Sequence, residues 1–291
     1  MDARQHNPKT FVVARDNGPA IAQLRGAVIA IGNFDGVHRG HRTVIDTAMR
    51  RAATLGARTA ALTLDPHPRR FLRPQEPLFM LTSLEQKLRL LAATGLDGAV
   101  VLTFDAALAG LPAEDFVARI LVERLAVRGV AVGFDFHFGK GRGGSPEFLV
   151  AQGHKYGFPV DIVAPLEDEG RPVSSRTIRQ ALAAGRVVEA AELLGFPWFV
   201  SGTVIHGDKR GRDLGYPTAN IRLDPSCELK HGIYAVRATV AGKVYEGVAN
   251  FGRRPTFDNG APLLEVFLFD FSGDLYGQTL DISFIAWLRP E

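Results

Sequence analysis

Across residues 27–165 short apolar runs alternate with helical patterns, whereas from Trp198 onward short strands follow one another with only turn residues between them. A chain that changes its periodicity in this way builds two units of different class. In the first stretch, strands are expected at 27–33, 59–64, 98–104, 129–134 and 160–163, and helices at 41–55, 84–94, 113–125 and 146–156. Val/Ala/Ile-rich strands separated by helices predict a parallel sheet covered on both faces, with ligands beyond the carboxyl ends of its strands. Ser174-Ser175 precede a helical stretch at 176–184 that Gly185 can end, and a second helix is expected at 187–194. Strands are then expected at 200–206, 232–240, 243–250, 263–269 and 279–287, with turns at Ala241-Gly242, Asn259-Gly260 and Ser272-Gly273. That spacing predicts an antiparallel barrel or sandwich. The division falls near residues 185–197, giving domains 1–186 and 187–291.

The 291 residues suffice for two domains, each with its own core. A hydrophobic content of 46% and a charged content of 22% are those of a soluble globular protein. The net charge is only +3, and basic residues cluster locally at Lys140-Gly141-Arg142 and Lys209-Arg210-Gly211-Arg212, either as solvated loops or as attractors of an anionic substrate. No basic stripe or reading module is present, so nucleic acid is not an expected partner. Cys227 is the single cysteine, which excludes an internal disulfide and a multi-cysteine zinc site. Residues 1–20 lack an apolar signal segment and no run is long enough to span a bilayer, so a cytoplasmic protein without a membrane partner is expected, as a monomer or weak homo-oligomer.

Two motifs carry chemistry. The first is Gly32-Asn33-Phe34-Asp35-Gly36-Val37-His38-Arg39-Gly40-His41, where a strand runs into a glycine turn and a helix. Glycine admits a phosphate to the backbone, and the helix start offers unpaired N–H groups at a positive dipole end. His38 and His41, on one tight turn, can face the same anion and stabilise charge on a pentavalent phosphate and its leaving group. A strand-to-helix turn with two surface histidines is the plainer account. Thr63-Leu64-Asp65-Pro66-His67-Pro68 and the Gly133–Gly139 run containing Asp135 end neighbouring strands on the same sheet edge. Ser174, Ser175 and Arg179 lie at a helix start, where they either cap and decorate it or grip triphosphate oxygens. Gly139-Lys140-Gly141-Arg142-Gly143-Gly144 fits G-x-G-x-x-G, but it follows the fourth expected strand and Asp161 opens the next one, which argues against a dinucleotide fingerprint and for a mobile basic loop over the nucleotide.

The second motif runs from Gly202 to Asn220 and joins two strands through a glycine-rich loop. Lys209 and glycines such as Gly207 and Gly215 suit a nucleotide's phosphates. Thr218 in Pro217-Thr218-Ala219-Asn220 offers a neutral oxygen of the kind Mg²⁺ accepts beside phosphates, with Asn220 on the same side if 218–221 is extended. A polar hairpin loop is the alternative. Glu265 stands in an otherwise apolar strand, either as a general base for a hydroxyl nucleophile or as an outward-facing edge residue.

Taken together these runs resemble the prokaryotic bifunctional riboflavin kinase/FMN adenylyltransferase (FAD synthetase) family over residues 28–288. The resemblance implies an α/β nucleotidyltransferase-like parallel-sheet domain followed by a small antiparallel flavokinase-like β-barrel. It implies that His38 and His41, with Gly32, Phe34, Asp35 and Gly36, hold ATP phosphates during adenylyl transfer, that Ser174, Ser175 and Arg179 assist, and that Asp135 lies near the nucleotide. It makes Thr218 and Asn220 ligands of Mg²⁺ and ATP, Glu265 the catalytic glutamate of the kinase, and Asn250 and Arg254 part of its adjoining loop. Riboflavin, FMN, FAD and ATP are the implied substrates and products, with Mg²⁺ accompanying ATP.

Two departures stand out. The family's Ser-Ser-Thr-x-Ile-Arg reads Ser174-Ser175-Arg176-Thr177-Ile178-Arg179, which bears on ATP affinity. The chain stops at Glu291, where family members usually continue into a C-terminal helix, which bears on kinase stability and flavin binding. The rival readings are a chain with one of the two activities, a flavin-nucleotide sensor without turnover, and a cytidylyltransferase, which leaves the second motif unexplained.

Overall fold

The computed structural model describes residues 10–168, 170–205, 218–253 and 262–290, in two units: residues 1–77 with 83–172, and residues 78–82 with 173–291.

In the first unit, strands β1 (Val12–Arg15), β2 (Val28–Ile31), β3 (Thr59–Asp65), β4 (Gly98–Thr103), β5 (Gly129–Gly133) and β6 (Val160–Val163) form one sheet in the order β1-β4-β3-β2-β5-β6. Every pairing in it is parallel. The connections carry helices α1 (Arg39–Leu55), α2 (Pro68–Leu72), α3 (Leu84–Ala92), α4 (Ala106–Ala109), α5 (Ala113–Asp115), a π-helix at Phe116–Arg124 and α6 (Pro146–Tyr156). Strands β7 (Glu167–Asp168) and β8 (Arg171–Pro172) make a small antiparallel hairpin. From β2 the sheet grows to β3 on one side and to β5 on the other, so β2 is its topological switch point.

The two faces of this sheet differ in side-chain size. On one face Ile29, Ile31, Leu62, Val100, Leu102, Val130 and Val132 pack against Phe116, Val117, Ile120 and Leu121 of the π-helix and Leu149 of α6. On the other, Ala131, Ala30, Ala61 and Ala99 lie in register across β5, β2, β3 and β4. All four are fully buried, and the apolar stripe of α1 (Val44, Ile45, Ala48, Ala52) closes over that face with Leu91 of α3. Methyl-sized side chains let a helix approach the sheet closely, and interiors are packed too densely to absorb a larger one without strain. Ala61→Leu is therefore expected to destabilise the unit by about 1–3 kcal/mol, read as lowered amide hydrogen-exchange protection of β2 and β3. Unchanged protection would mean that the alanine row is not close-packed.

The second unit carries α7 (Ser175–Ala183), α8 (Val187–Leu194) and strands β9 (Phe199–Ile205), β10 (Ala219–Arg222), β11 (Gly232–Val240), β12 (Lys243–Arg253), β13 (Pro262–Leu268) and β14 (Thr279–Arg289). The strands close into a barrel in the order β10-β13-β12-β11-β14-β9, all antiparallel. Alternate residues point inward: Tyr234, Val236 and Ala238 of β11, Leu264, Val266 and Leu268 of β13, Ile282 and Phe284 of β14. Tyr234 and Trp198 both pack on Phe284 with ring centroids 5.1 Å apart, and the Trp198 indole N–H donates to the Leu81 carbonyl at 2.9 Å.

The sheet is the nucleotidyltransferase-like α/β domain expected, and between the two expectations for the second unit the closed barrel is the one found. The first sheet also carries an edge strand, β1, that was not expected, and residues 116–124 of the expected 113–125 helix are wound as π-helix. Residues 139–144 hold a 3-10 turn at Lys140–Arg142 closed by a Phe138–Gly144 bridge. Gly139 there has φ +72°, and a Cβ on it would lie 2.7 Å from the Ala113 backbone, so close packing against α5 already accounts for that glycine.

Candidate active sites

The first motif sits where β2 ends. Gly32 N–H still donates to the Leu62 carbonyl at 3.1 Å, and the chain then turns through Phe34 (φ +49°), Gly36 (φ +85°) and Val37 (φ +42°) before α1 begins at Arg39. Only Gly36 takes its conformation without steric cost; a β-branched residue such as Val37 in the left-handed region stores strain, which concentrates at functional turns. Phe34 and Asp35 are buried beneath the turn.

His38 is the N-cap of α1, and its Nδ1 accepts from the backbone N–H of His41 at 3.2 Å. An imidazole nitrogen that accepts carries no proton, so the neutral ring of His38 holds its hydrogen on Nε2. The His38 and His41 rings stack with centroids 3.6 Å apart and planes 19° apart, and the edge of Phe34 meets His41 at 5.3 Å. His41 Nδ1 is enclosed without a hydrogen-bond partner. Burial, then the neighbouring His38, then Lys87, hold His41 well below the usual imidazole range, so it is neutral at pH 7. His41 is thus a neutral ring stacked on the N-cap imidazole of His38 at the start of α1.

The neighbouring strands bring their ends to the same edge. β3 ends at Asp65, and Thr63 donates its hydroxyl to the Asn33 carbonyl at 3.0 Å. Beyond β5, Asp135 is exposed, and its carbonyl lies 2.9 Å from His137 Nδ1. In the other unit, Ser174 caps α7, accepting from Thr177 N–H at 3.2 Å, Ser175 opens the helix, and Arg179 donates through Nε to the Phe79 carbonyl.

In the barrel, Glu265 of β13 pairs in register with Asn220 of β10 on one side and Asn250 of β12 on the other. Residues directly opposite on antiparallel strands project to the same face, so the three make one polar row. Their inward neighbours Ile221, Leu264 and Phe251 are fully buried, which places the row on the outer face. Asn220 Nδ2 reaches the Thr218 carbonyl at 3.4 Å. Gly207, Lys209, Gly215, Pro217 and Arg254 lie outside the described residues.

The FAD synthetase family profile matches residues 20–177 and the riboflavin kinase profile residues 194–291. The chain is 41% identical over 268 residues to the bifunctional riboflavin kinase/FMN adenylyltransferase of Pseudomonas fluorescens, covering 92% of this chain and 86% of that one. This chain belongs to the bifunctional riboflavin kinase/FMN adenylyltransferase family. Family members of the same name from Escherichia coli strain K12 (38% over 271 residues, 93% of this chain and 87% of that one) and Bacillus subtilis strain 168 (40% over 271 residues, 91% and 85%) agree over nearly the same span. A crystal structure described as a macrolide-efflux protein from Streptococcus pneumoniae shares the whole family fold, with a TM-score of 0.85, 30% identity, and 97% of this chain and 92% of that one covered. Among the described residues no helix is long and apolar enough to cross a membrane.

Sequence reasoning passed over Lys87. It is only 3% exposed, and its Nζ donates to Thr63 Oγ1 at 3.3 Å. The signal was present: Lys87 stands between Leu84 and Leu91 on the apolar stripe of α3, where a lysine has no reason to be unless a polar partner waits beneath the helix.

Proposed function

We propose that the family's two reactions are divided between the two motifs, with FMN adenylylation at His38 and His41 (domain 1–186) and riboflavin phosphorylation at Glu265 (domain 187–291). The protein is a transferase that makes FMN from riboflavin and FAD from FMN at the expense of ATP. The observation that carries the first assignment is the stacked His38–His41 pair at the start of α1 and the switch point of the sheet.

In the first reaction the riboflavin 5′-hydroxyl oxygen bonds to the γ-phosphorus of ATP, the bond to the β-phosphate oxygen breaks, and the hydroxyl proton passes to Glu265, leaving FMN and ADP. In the second an FMN phosphate oxygen bonds to the α-phosphorus of another ATP and pyrophosphate departs, giving FAD. No covalent intermediate on the protein is involved, and positioning and electrostatic stabilisation supply most of the rate. His38 Nε2–H, the turn amides and the α1 N-terminus receive the charge that builds on the leaving pyrophosphate. Ser174, Ser175, Arg179 and Asp135 keep the ATP-assisting roles that the family resemblance implies.

ATP-dependent enzymes of these families generally use a divalent metal. Among the described residues no cluster of three or more His, Cys, Asp or Glu side chains is suited to hold one unaided. The oxygens of Thr218 and Asn220 are instead hard, neutral donors, which fits Mg²⁺ shared with substrate phosphates. Bound there, Mg²⁺ neutralises phosphate charge.

A chromatographic time course of riboflavin with excess Mg-ATP tests the assignment of both reactions to one chain. FMN is expected to appear first and then convert to FAD; FMN without FAD would overturn the adenylyltransferase assignment. If no product forms from riboflavin but supplied FMN is converted to FAD, the kinase assignment falls.

A further inference from the structure

Lys87 is an almost fully buried cation that the reaction as written does not use. A threonine hydroxyl has one proton to give. Thr63 gives it to the Asn33 carbonyl at 3.0 Å and receives from Lys87 Nζ at 3.3 Å, so the directions of both bonds are fixed. The relay therefore runs from α3 through β3 into the strained turn that precedes His38. A buried ammonium is costly to hold unless carboxylates and hydrogen bonds compensate it. The charged and titratable groups facing Lys87 come from three other elements: Asp35 in the turn, Asp65 at the end of β3 and His41 in α1. Burial draws the Lys87 ammonium below its usual range, while Asp35 and Asp65 push it back up.

We propose that Lys87 is a positioning residue for adenylyl transfer, pinning the Asn33–Val37 turn through Thr63 and supplying a fixed positive charge that faces His41. This rests on the reading that the pair is the adenylyl-transfer site. The turn holds Phe34 and Val37 in the left-handed region, which costs free energy that the surrounding structure must offset. The relay is such a support. The charge has a second effect, because a cation facing His41 opposes its protonation and leaves it neutral for phosphate.

The test uses the full-length protein, with FMN and Mg-ATP as substrates. Lys87→Met keeps the length of the side chain and removes the charge. It is expected to lower kcat for FAD formation by at least about tenfold with little change in KM for ATP, as misplacement of a catalytic group does. The acid limb of its pH profile is expected to move to higher pH, because His41, still buried and beside His38 but freed of the lysine's charge, takes up a proton more readily. Lys87→Arg keeps the charge, and its acid limb should stay at the wild-type position. A Met variant with wild-type kcat and an unmoved acid limb would overturn the proposal, as would equal losses in Met and Arg variants with neither profile displaced. Should the Met variant lack amide protection in β2 and α1, Thr63→Val decides: it cuts the relay and is expected to lower kcat, and a wild-type value would overturn the proposal. His38→Ala run in parallel separates the two levels, since adenylylation surviving that change would fault the site reading and not the role of Lys87.

Discussion

Replacing His38 and His41 together by alanine is expected to lower FAD formation from FMN by at least about 10³-fold, a loss consistent with removing more than one preorganised donor to a developing oxyanion. Riboflavin phosphorylation should continue at the wild-type rate. The double change removes both the Nε2–H donor fixed by the His41 amide and the stacked ring beside it. It also removes the N-cap of α1, a loss of about 0.5–2 kcal/mol in helix or protein stability. His38→Asn separates these effects: asparagine caps a helix well, so the variant should regain stability without regaining activity. Chromatography of FAD from supplied FMN, with amide exchange of α1 alongside, reads both. Survival of FAD formation in the double variant would mean that the imidazoles are not the phosphate donors.

The second large effect is expected from Glu265→Gln. Glutamine preserves the size of the side chain and a polar group in the row with Asn220 and Asn250, so the barrel should stay folded. What it removes is the ability to accept the riboflavin hydroxyl proton. General-base catalysis is worth about 10²–10⁴-fold, so riboflavin phosphorylation should fall by that factor while supplied FMN is still converted to FAD. A variant within tenfold of the wild-type kcat would make Glu265 a binding residue and leave proton removal to solvent or phosphate.

Much of this architecture is legible in the sequence because each element's apolar period and its flanking turn or cap residues are set by the face it buries. Strand β6, the helices α6 and α8, and strand β11 coincide with their expected limits. What the sequence hides has physical reasons. β1 is a short edge strand in which Val12-Val13 is followed at once by Ala14-Arg15, too brief for a period to register. The π-helix at Phe116–Arg124 buries the same apolar residues that an α-helix would, so its winding leaves no mark on the pattern. The two histidines are visible as a motif, but the tautomer of His38 depends on where one backbone amide points. Lys87 was passed over because lysine reads as solvent-exposed by default; only its place on an apolar stripe contradicts that. The polar row of the barrel is likewise invisible until register sets Asn220, Glu265 and Asn250 side by side, from segments far apart in the chain.

The alanines at 131, 30, 61 and 99 set the gap between the sheet and α1, and with it the height at which the His38 end of that helix stands above the strand ends. They work as a spacer gauge for the turn and helix start that carry the first motif. On the proposed division of the two reactions, a bulkier side chain in that row is expected to slow the FMN-consuming step and leave riboflavin phosphorylation in place. On that division, the ratio of FMN to FAD is expected to respond to methyl groups of the hydrophobic core that belong to neither motif.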